Sequence, residues 1–178
     1  MDVLQVHDKK FKPFISAQQI NEQIKRVAHE INSEYKNKRP LFIAILNGSF
    51  MFASDLFKEL TIESEICFIK LASYKGTKSS GQVITAIGLD IDLNGRDIII
   101  IEDIVDTGKT LSHFLPQLHH HQPSSLKIAA LLHKPQATIY PIVIDYLGFS
   151  VPDIFLLGYG LDYDGLGRNI REIYQITD

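Results

Sequence analysis

The sequence is poor in cysteine: Cys67 is the only one in 178 residues. One thiol can form neither an intramolecular disulfide nor a thiolate zinc cage, which fits a reducing compartment. Long apolar runs are also missing. Runs such as Leu41–Leu46 and Ile98–Ile101 fall far short of the roughly 18 residues that span a bilayer. The opening stretch MDVLQVHDKKFKPF lacks the continuous apolar core of a secretory signal. Neither sign of charge is in excess. The 18 Lys and Arg against 21 Asp and Glu leave a net charge of −3, with no general electrostatic pull toward nucleic acid. No internal repeat or long linker is present. The expectation is a soluble, cytoplasmic, single-domain chain with neither nucleic acid nor membrane as partner. Its 45% hydrophobic and 22% charged residues are those of a globular protein, which excludes disordered and collagen-like classes.

Residues 16–35 carry Ile20, Ile24, Val27, Ala28 and Ile31 at helical spacing. Ser16 followed by Gln19 fits a capping box at the start of that helix. Leu41–Leu46 reads as a strand, broken by Asn47-Gly48-Ser49, with a helix-like stretch to about Leu60. Ile66–Leu71 is a second strand, Ser73–Gln82 a polar, mobile loop, and Val83–Gly88 a returning strand. Asn94-Gly95 marks a turn. Asp97–Glu102 contains four consecutive isoleucines, suited to a strand buried on both faces. A helix is expected from about Thr107, kinked or ended by Pro116. Lys127–Leu132, Ile142–Ile144 and Ile154–Leu157 are further strand candidates. Alternating strands and helices predict an α/β fold with a central, mainly parallel sheet.

The segment IIIIEDIVDTGKTL, Ile98–Leu111, runs from a buried strand through an acidic pair into a Gly-Thr loop and a helix. In open α/β sheets such loops, at the carboxyl ends of strands, hold ligands. Gly108 permits a close backbone approach, and free N–H groups at a helix start favour an anion such as a phosphate. Thr107 and Thr110 add hydroxyls, and Lys109 adds charge or its backbone N–H. Glu102 and Asp103 repel phosphate, yet suit sugar hydroxyls or Mg²⁺. A ribose phosphate satisfies both halves. A Walker A loop is excluded, since it needs glycine five positions before the glycine of GK and Asp103 stands there. A plain strand-to-helix connection capped by Asp106 remains the bland alternative.

With its neighbours, this segment resembles the type I phosphoribosyltransferases, and within them the hypoxanthine and hypoxanthine-guanine enzymes. LNGSFMFASDL, FIKLASYKG, LLHKP and VPDIFLLGYGLDY are similar to that family's segments in the same order, covering roughly residues 40–175. The resemblance implies that family's fold: a core of about residues 38–150, with a small hood from the N-terminal segment and about 151–178. It also implies transfer of 5-phosphoribosyl from phosphoribosyl pyrophosphate (PRPP) to hypoxanthine, and guanine, giving IMP or GMP with Mg²⁺. Asp106 would then be the general base, with PRPP contacts from Glu102, Asp103, Ile104, Val105, Thr107, Gly108, Lys109 and Thr110. Asn47, Gly48, Ser49 and Arg168 would hold pyrophosphate, although the family often has lysine where Asn47 stands. A non-proline cis peptide is implied before Gly48. Ser73 and Tyr74 would begin a closing loop. Lys134 would read a 6-oxo group, Phe155 would stack on the purine, and Leu156 would offer its backbone. Asp162 would sit near position 2 of the purine and share the metal with Glu102 and Asp103. A homodimer or homotetramer is also implied.

Taken singly, several of these residues have plainer readings. Asn47-Gly48-Ser49 could be a turn, Lys134 a surface lysine, Phe155 a core residue, and Arg168 an exposed arginine. The His119-His120-His121 run is taken as a solvated helix end, since three successive residues cannot face one way on a helix. Two other functions fit the motifs: a phosphoribosyltransferase for another base, and a non-catalytic PRPP- or nucleotide-binding regulator.

Overall fold

The computed structural model describes residues 3–74 and 83–177. The chain enters through β1 (Leu4–Val6) and β2 (Lys9–Ile15), then forms α1 (Ala17–Glu34). That helix starts as its sequence predicts. Ser16 Oγ accepts from the Gln19 N–H, and the Gln19 side chain accepts from the Ser16 N–H. The reciprocal pair satisfies donors that a helix start leaves free. The five apolar residues of its stripe are all buried. Next come β3 (Leu41–Leu46), α2 (Phe50–Lys58), β4 (Glu65–Tyr74), β5 (Val83–Ile87), β6 (Asp97–Val105) and α3 (Lys109–His119). The last strands are β7 (Ser125–His133), β8 (Tyr146–Ser150), β9 (Leu156–Leu157) and β10 (Ile173–Thr177).

Six strands make one sheet in the order β5-β4-β3-β6-β7-β8, parallel except for β5 at the edge. The isoleucine strand β6 lies between β3 and β7, with Ile98–Ile101 beside Leu41–Ala44. Successive side chains on a strand point to opposite faces. Phe42, Ala44, Ile99 and Ile101 therefore join the core under α1 and α2, while Leu41, Ile43, Ile98 and Ile100 join the one under α3. All four isoleucines are fully buried, each removing ~1.5–3 kcal/mol worth of apolar surface from water. A second, antiparallel sheet, β1-β2-β10-β9, is built from the two ends of the chain around Val6, Phe11 and Leu157. Among the described residues, no helix is long and apolar enough to cross a membrane.

The structure corrects several boundaries. Ser73 and Tyr74 belong to β4 rather than to a loop, because β4 continues beside β5 as far as the Tyr74–Val83 pair. The rest of the predicted polar loop, residues 75–82, lies outside the described residues. Strand β6 extends past Glu102 to Val105, held by pairing with β7 up to His133. The acidic pair is therefore inside a strand. Pro116 does not end α3; the helix runs on for three more residues to His119, with Pro116 on its exposed side. Ile142–Ile144 is not a strand: Ile142 and Ile144 pack into the core while Val143 is exposed, without a ladder partner. Pairing is needed for a strand, and alternation alone did not supply it. His119, His120 and His121 are exposed at the end of α3.

Candidate active site

The loops after β3, β6 and β7 meet at the carboxyl edge of the parallel sheet, where open α/β folds place ligands. A cleft of about 390 Å³ opens there, between Ile45–Gly48 on one side and Phe155, Leu156, Leu161, Asp162 and Arg168 on the other. Glu102, Asp103, Ile104, Asp106 and Lys134 form its floor and mouth. A smaller hollow of about 80 Å³ adjoins it, lined by Val105–Leu111. Glu102, Ile104 and Asp106 line both. The arrangement is bipartite, with a loop-walled hollow for one end of a ligand and a larger cleft for the other.

The acidic pair lies at the junction. Glu102 Oε2 is sealed from solvent and has no hydrogen-bond partner among the described residues. Burial, then the charge of Asp103, raise the Glu102 pKa well above its usual range. Burial also pushes Asp103 up to about 6, against the lowering effect of backbone donors at Ile104 and itself and of Arg168. Its Oδ1 accepts from the Ile104 N–H at 2.8 Å. A carboxylate without a cation in a low-dielectric site favours its neutral form. These two groups are arranged to receive hydroxyls or a cation. With Asp162 they line the same cleft, yet among the described residues no three His, Cys, Asp or Glu side chains converge as a metal cage.

The hollow is shaped by Gly108. It has φ 77° and caps α3 with no side-chain cap bond, so Asp106 is not the capping residue. A Cβ on Gly108 would lie 2.2 Å from the Tyr140 carbonyl oxygen. The Thr107 hydroxyl oxygen accepts from the Lys109 N–H at 3.3 Å. Lys109 and Thr110 are exposed.

At the other end, Lys134 is only 7% exposed, so it is no surface lysine. Its Nζ lies 3.5 Å from Asp106 Oδ2 and 3.4 Å from Asp153 Oδ1. Phe155 is 43% exposed, with Phe11 and Tyr163 against it at ring-centre distances of 6.2 and 5.8 Å. It is therefore not a core residue; its ring packs against those two and stays partly open. Leu156 is buried in β9. Asp162 is already engaged, by Arg168 Nη2 at 2.7 Å and the Gly165 N–H at 2.7 Å. Arg168 also donates to the Gly160 carbonyl at 2.7 Å.

The Asn47–Ser49 turn begins with a cis peptide between Leu46 and Asn47, one bond earlier than the resemblance implied, directly where the pairing of β3 with β4 ends. Asn47 is exposed and Gly48 buried. A Cβ on Gly48 would fall 1.4 Å from Asp103 Oδ2. Ser49 is fully buried, and its hydroxyl donates to the Ile45 carbonyl at 2.6 Å. Its side chain is thus unavailable to a ligand. Ser73 and Tyr74 stand at the end of β4.

Sequence reasoning missed Gly160 and Asp153. Gly160, with φ 98°, approaches the turn so closely that a Cβ would meet the Gly48 carbonyl oxygen at 2.0 Å. Its only sequence signal is the Gly-Tyr-Gly spacing at 158–160. Asp153 has none, since it meets Lys134 from 19 residues away, on the far side of β8.

The chain belongs to the phosphoribosyltransferase family: the Phosphoribosyl transferase domain matches residues 16–164. Its relatives within that family include purine enzymes. It is 41% identical over 160 residues to a hypoxanthine-guanine phosphoribosyltransferase of Lactococcus lactis, covering 89% of this chain and 87% of that one. To the hypoxanthine-guanine phosphoribosyltransferase of Aquifex aeolicus it is 35% identical, covering 98% and 99%. Among solved structures, a hypoxanthine phosphoribosyltransferase of Staphylococcus aureus superposes with a TM-score of 0.87 at 34% identity, covering 93% of this chain and 91% of that one.

Proposed function

We propose that this protein transfers the 5-phosphoribosyl group of PRPP to hypoxanthine, and also to guanine, releasing pyrophosphate and IMP or GMP in purine salvage. The observation that carries the reading is the 3.5 Å approach of Lys134 Nζ to Asp106 Oδ2. In a 6-oxopurine, O6 and N7 are neighbours on one edge. A fixed ammonium donor and an adjacent carboxylate acceptor match that edge, O6 to Lys134 and N7–H to Asp106. Adenine would present an amino donor to the ammonium.

Phe155 stacks on the purine, and the Leu156 backbone meets its edge. The hollow at Thr107–Thr110 takes the 5′-phosphate on backbone N–H groups, with Ile104 and Val105 forming its approach. Glu102 and Asp103 accept from the ribose hydroxyls. Gly48 and Ser49 N–H groups, with Arg168, hold the pyrophosphate; Asn47 brings no charge there. As the bond at the anomeric carbon breaks, Asp106 removes the N7 proton, and Arg168 steadies the departing pyrophosphate. Ser73 and Tyr74 help to shield this chemistry from water.

Mg²⁺ fits the residues present. The partnerless Glu102 oxygen and the raised pKa of Asp103 leave two buried acids without a cation. Magnesium is commonly held by one or two carboxylates plus substrate oxygens, which suits a site without a three-ligand cage. Glu102 and Asp103 would hold it, with Asp162 nearby, and it would supply charge neutralisation to the pyrophosphate. The two sheets act as one unit, a core of about 38–150 under a hood from both chain ends, which the terminal sheet supports. A homodimer or homotetramer follows from the family resemblance, and the single Cys67 fits a reducing cytoplasm.

The test is a spectrophotometric assay with PRPP and Mg²⁺, offering hypoxanthine, guanine, xanthine and adenine separately. Turnover of hypoxanthine with adenine inert is expected. Turnover of adenine, or of none, overturns the reading.

A further inference from the structure

One stretch outside the expected motifs is bound to the loop that shapes the hollow. Residues 138–140 follow Lys134 and run alongside Asp106 and Thr107. The Ile139 N–H and the Tyr140 N–H both donate to the Thr107 carbonyl, at 3.0 and 2.9 Å. The Thr138 hydroxyl reaches the Asp106 carbonyl at 3.3 Å and the Lys134 carbonyl at 3.0 Å. His133 Nε2 lies 3.0 Å from the same hydroxyl oxygen. A hydroxyl has one proton. It bridges the two carbonyls, the Lys134 carbonyl at 3.0 Å being the nearer, and the Nε2–H tautomer of His133 would donate to the hydroxyl oxygen.

Three successive residues thus supply donors to two successive loop carbonyls. In a trans peptide the C=O and N–H point in opposite directions. Drawing the Asp106 carbonyl toward Thr138 turns the Thr107 N–H the other way. Drawing the Thr107 carbonyl toward Ile139 and Tyr140 does the same for the Gly108 N–H. Neither N–H has a hydrogen-bond partner among the described residues, and both residues line the small hollow. The same packing explains why residue 108 is glycine: its missing Cβ leaves the 2.2 Å approach to the Tyr140 carbonyl open.

We propose that the Thr138–Tyr140 strap is the orienting device of the phosphate loop, and that Thr138 is a positioning residue. It aims the Thr107 and Gly108 N–H groups at the 5′-phosphate while joining the Asp106 loop to the Lys134 backbone. The proposal rests on the reading above that this hollow receives the 5′-phosphate. Thr138 is half-buried and touches neither cavity, so its effect passes through the loop.

The experiment compares the affinities of IMP and inosine, which differ only in the 5′-phosphate, by calorimetry on the intact protein. The unaltered protein first has to prefer IMP. If it does not, the phosphate reading fails, and the proposal with it. Given that preference, Thr138→Val, which keeps shape and removes the hydroxyl, is expected to weaken IMP about 5-fold while inosine changes less than about 2-fold, the effect of losing one ordinary hydrogen bond. Thr138→Ser, which keeps the hydroxyl, is expected to restore the preference. Equal weakening of both ligands by Thr138→Val marks a merely structural residue and overturns the proposal, as does an unchanged IMP preference. If Thr138→Val does not fold, Thr138→Ala takes its place against Thr138→Ser: loss of the IMP preference in Thr138→Ala alone supports the proposal, and the same preference in both overturns it.

Discussion

The two ends of β6 carry carboxylates in opposite circumstances. At its start, Asp97 accepts from Lys38 Nζ at 3.2 Å and from Ser125 Oγ at 2.5 Å. Nearby, Glu65 is paired with Arg96 and Arg39 at 3.0 and 3.4 Å, and Glu34 with Lys127 and the Tyr146 hydroxyl. Near its far end, Glu102 has a sealed oxygen with no partner, and Asp103 is pushed up to about 6 by burial. The first end is neutralised from within. The second is left short of a cation and loses stability for it, because burying a charge without a partner is costly. A fold retains such an imbalance where a ligand supplies the missing charge, which links the packing of this strand to its chemistry.

The widest separation between the two ends is expected in activity. Asp106→Asn and Asp103→Asn should each lower kcat/KM about 100-fold or more, the first through loss of the base, the second through loss of hydroxyl and metal contacts. Thermal unfolding of the ligand-free proteins separates them. Asp103→Asn should be more stable than the parent at pH 7 by ~1–3 kcal/mol, since a buried charge is gone. Asp106, at 49% side-chain exposure, should give no such gain. A destabilised Asp103→Asn protein would contradict the account of this end.

The pH dependence is the next largest effect. From pH about 4 to about 6 the folded state holds a proton on Asp103 that the unfolded chain has released. More protons on the folded state mean that stability falls as pH rises through this window, by ~2–3 kcal/mol from this group. Acidification regains it. Asp103→Asn should flatten that part of a denaturant-midpoint profile, and an unchanged profile would sink the assignment to Asp103.

The smallest effect belongs to the neutralised end. Asp97→Asn should cost about 1 kcal/mol through the weakened Lys38 and Ser125 contacts, with kcat unchanged. A fall in kcat there would blur the distinction between the two ends, whereas a pure stability change sharpens it.

Much of the architecture is carried by short-range pattern. The Ser16–Gln19 box, the stripe of α1, the isoleucines of β6 and the glycine of the Asp-Thr-Gly loop act within a few residues of themselves. Periodicity and capping chemistry are enough to read them. The same holds for which loops end at the ligand edge, since strand and helix alternate in order. Boundaries were less legible. Ser73 and Tyr74 look like loop by composition and become strand by pairing with β5. Ile142–Ile144 looks like strand by alternation and lacks a partner.

Local chemistry therefore settles the α/β order and the residues able to bind an anion or accept from a sugar. Only the folded chain decides that Lys134 is buried beside Asp106, that Gly160 abuts Gly48, that Thr138 reaches back to Asp106, and that Thr177 Oγ1 meets the Lys10 carbonyl across 167 residues. The reason is physical. Backbone propensity and side-chain period act over one or two turns, whereas burial, charge compensation and close backbone approach depend on distances between segments far apart in the chain.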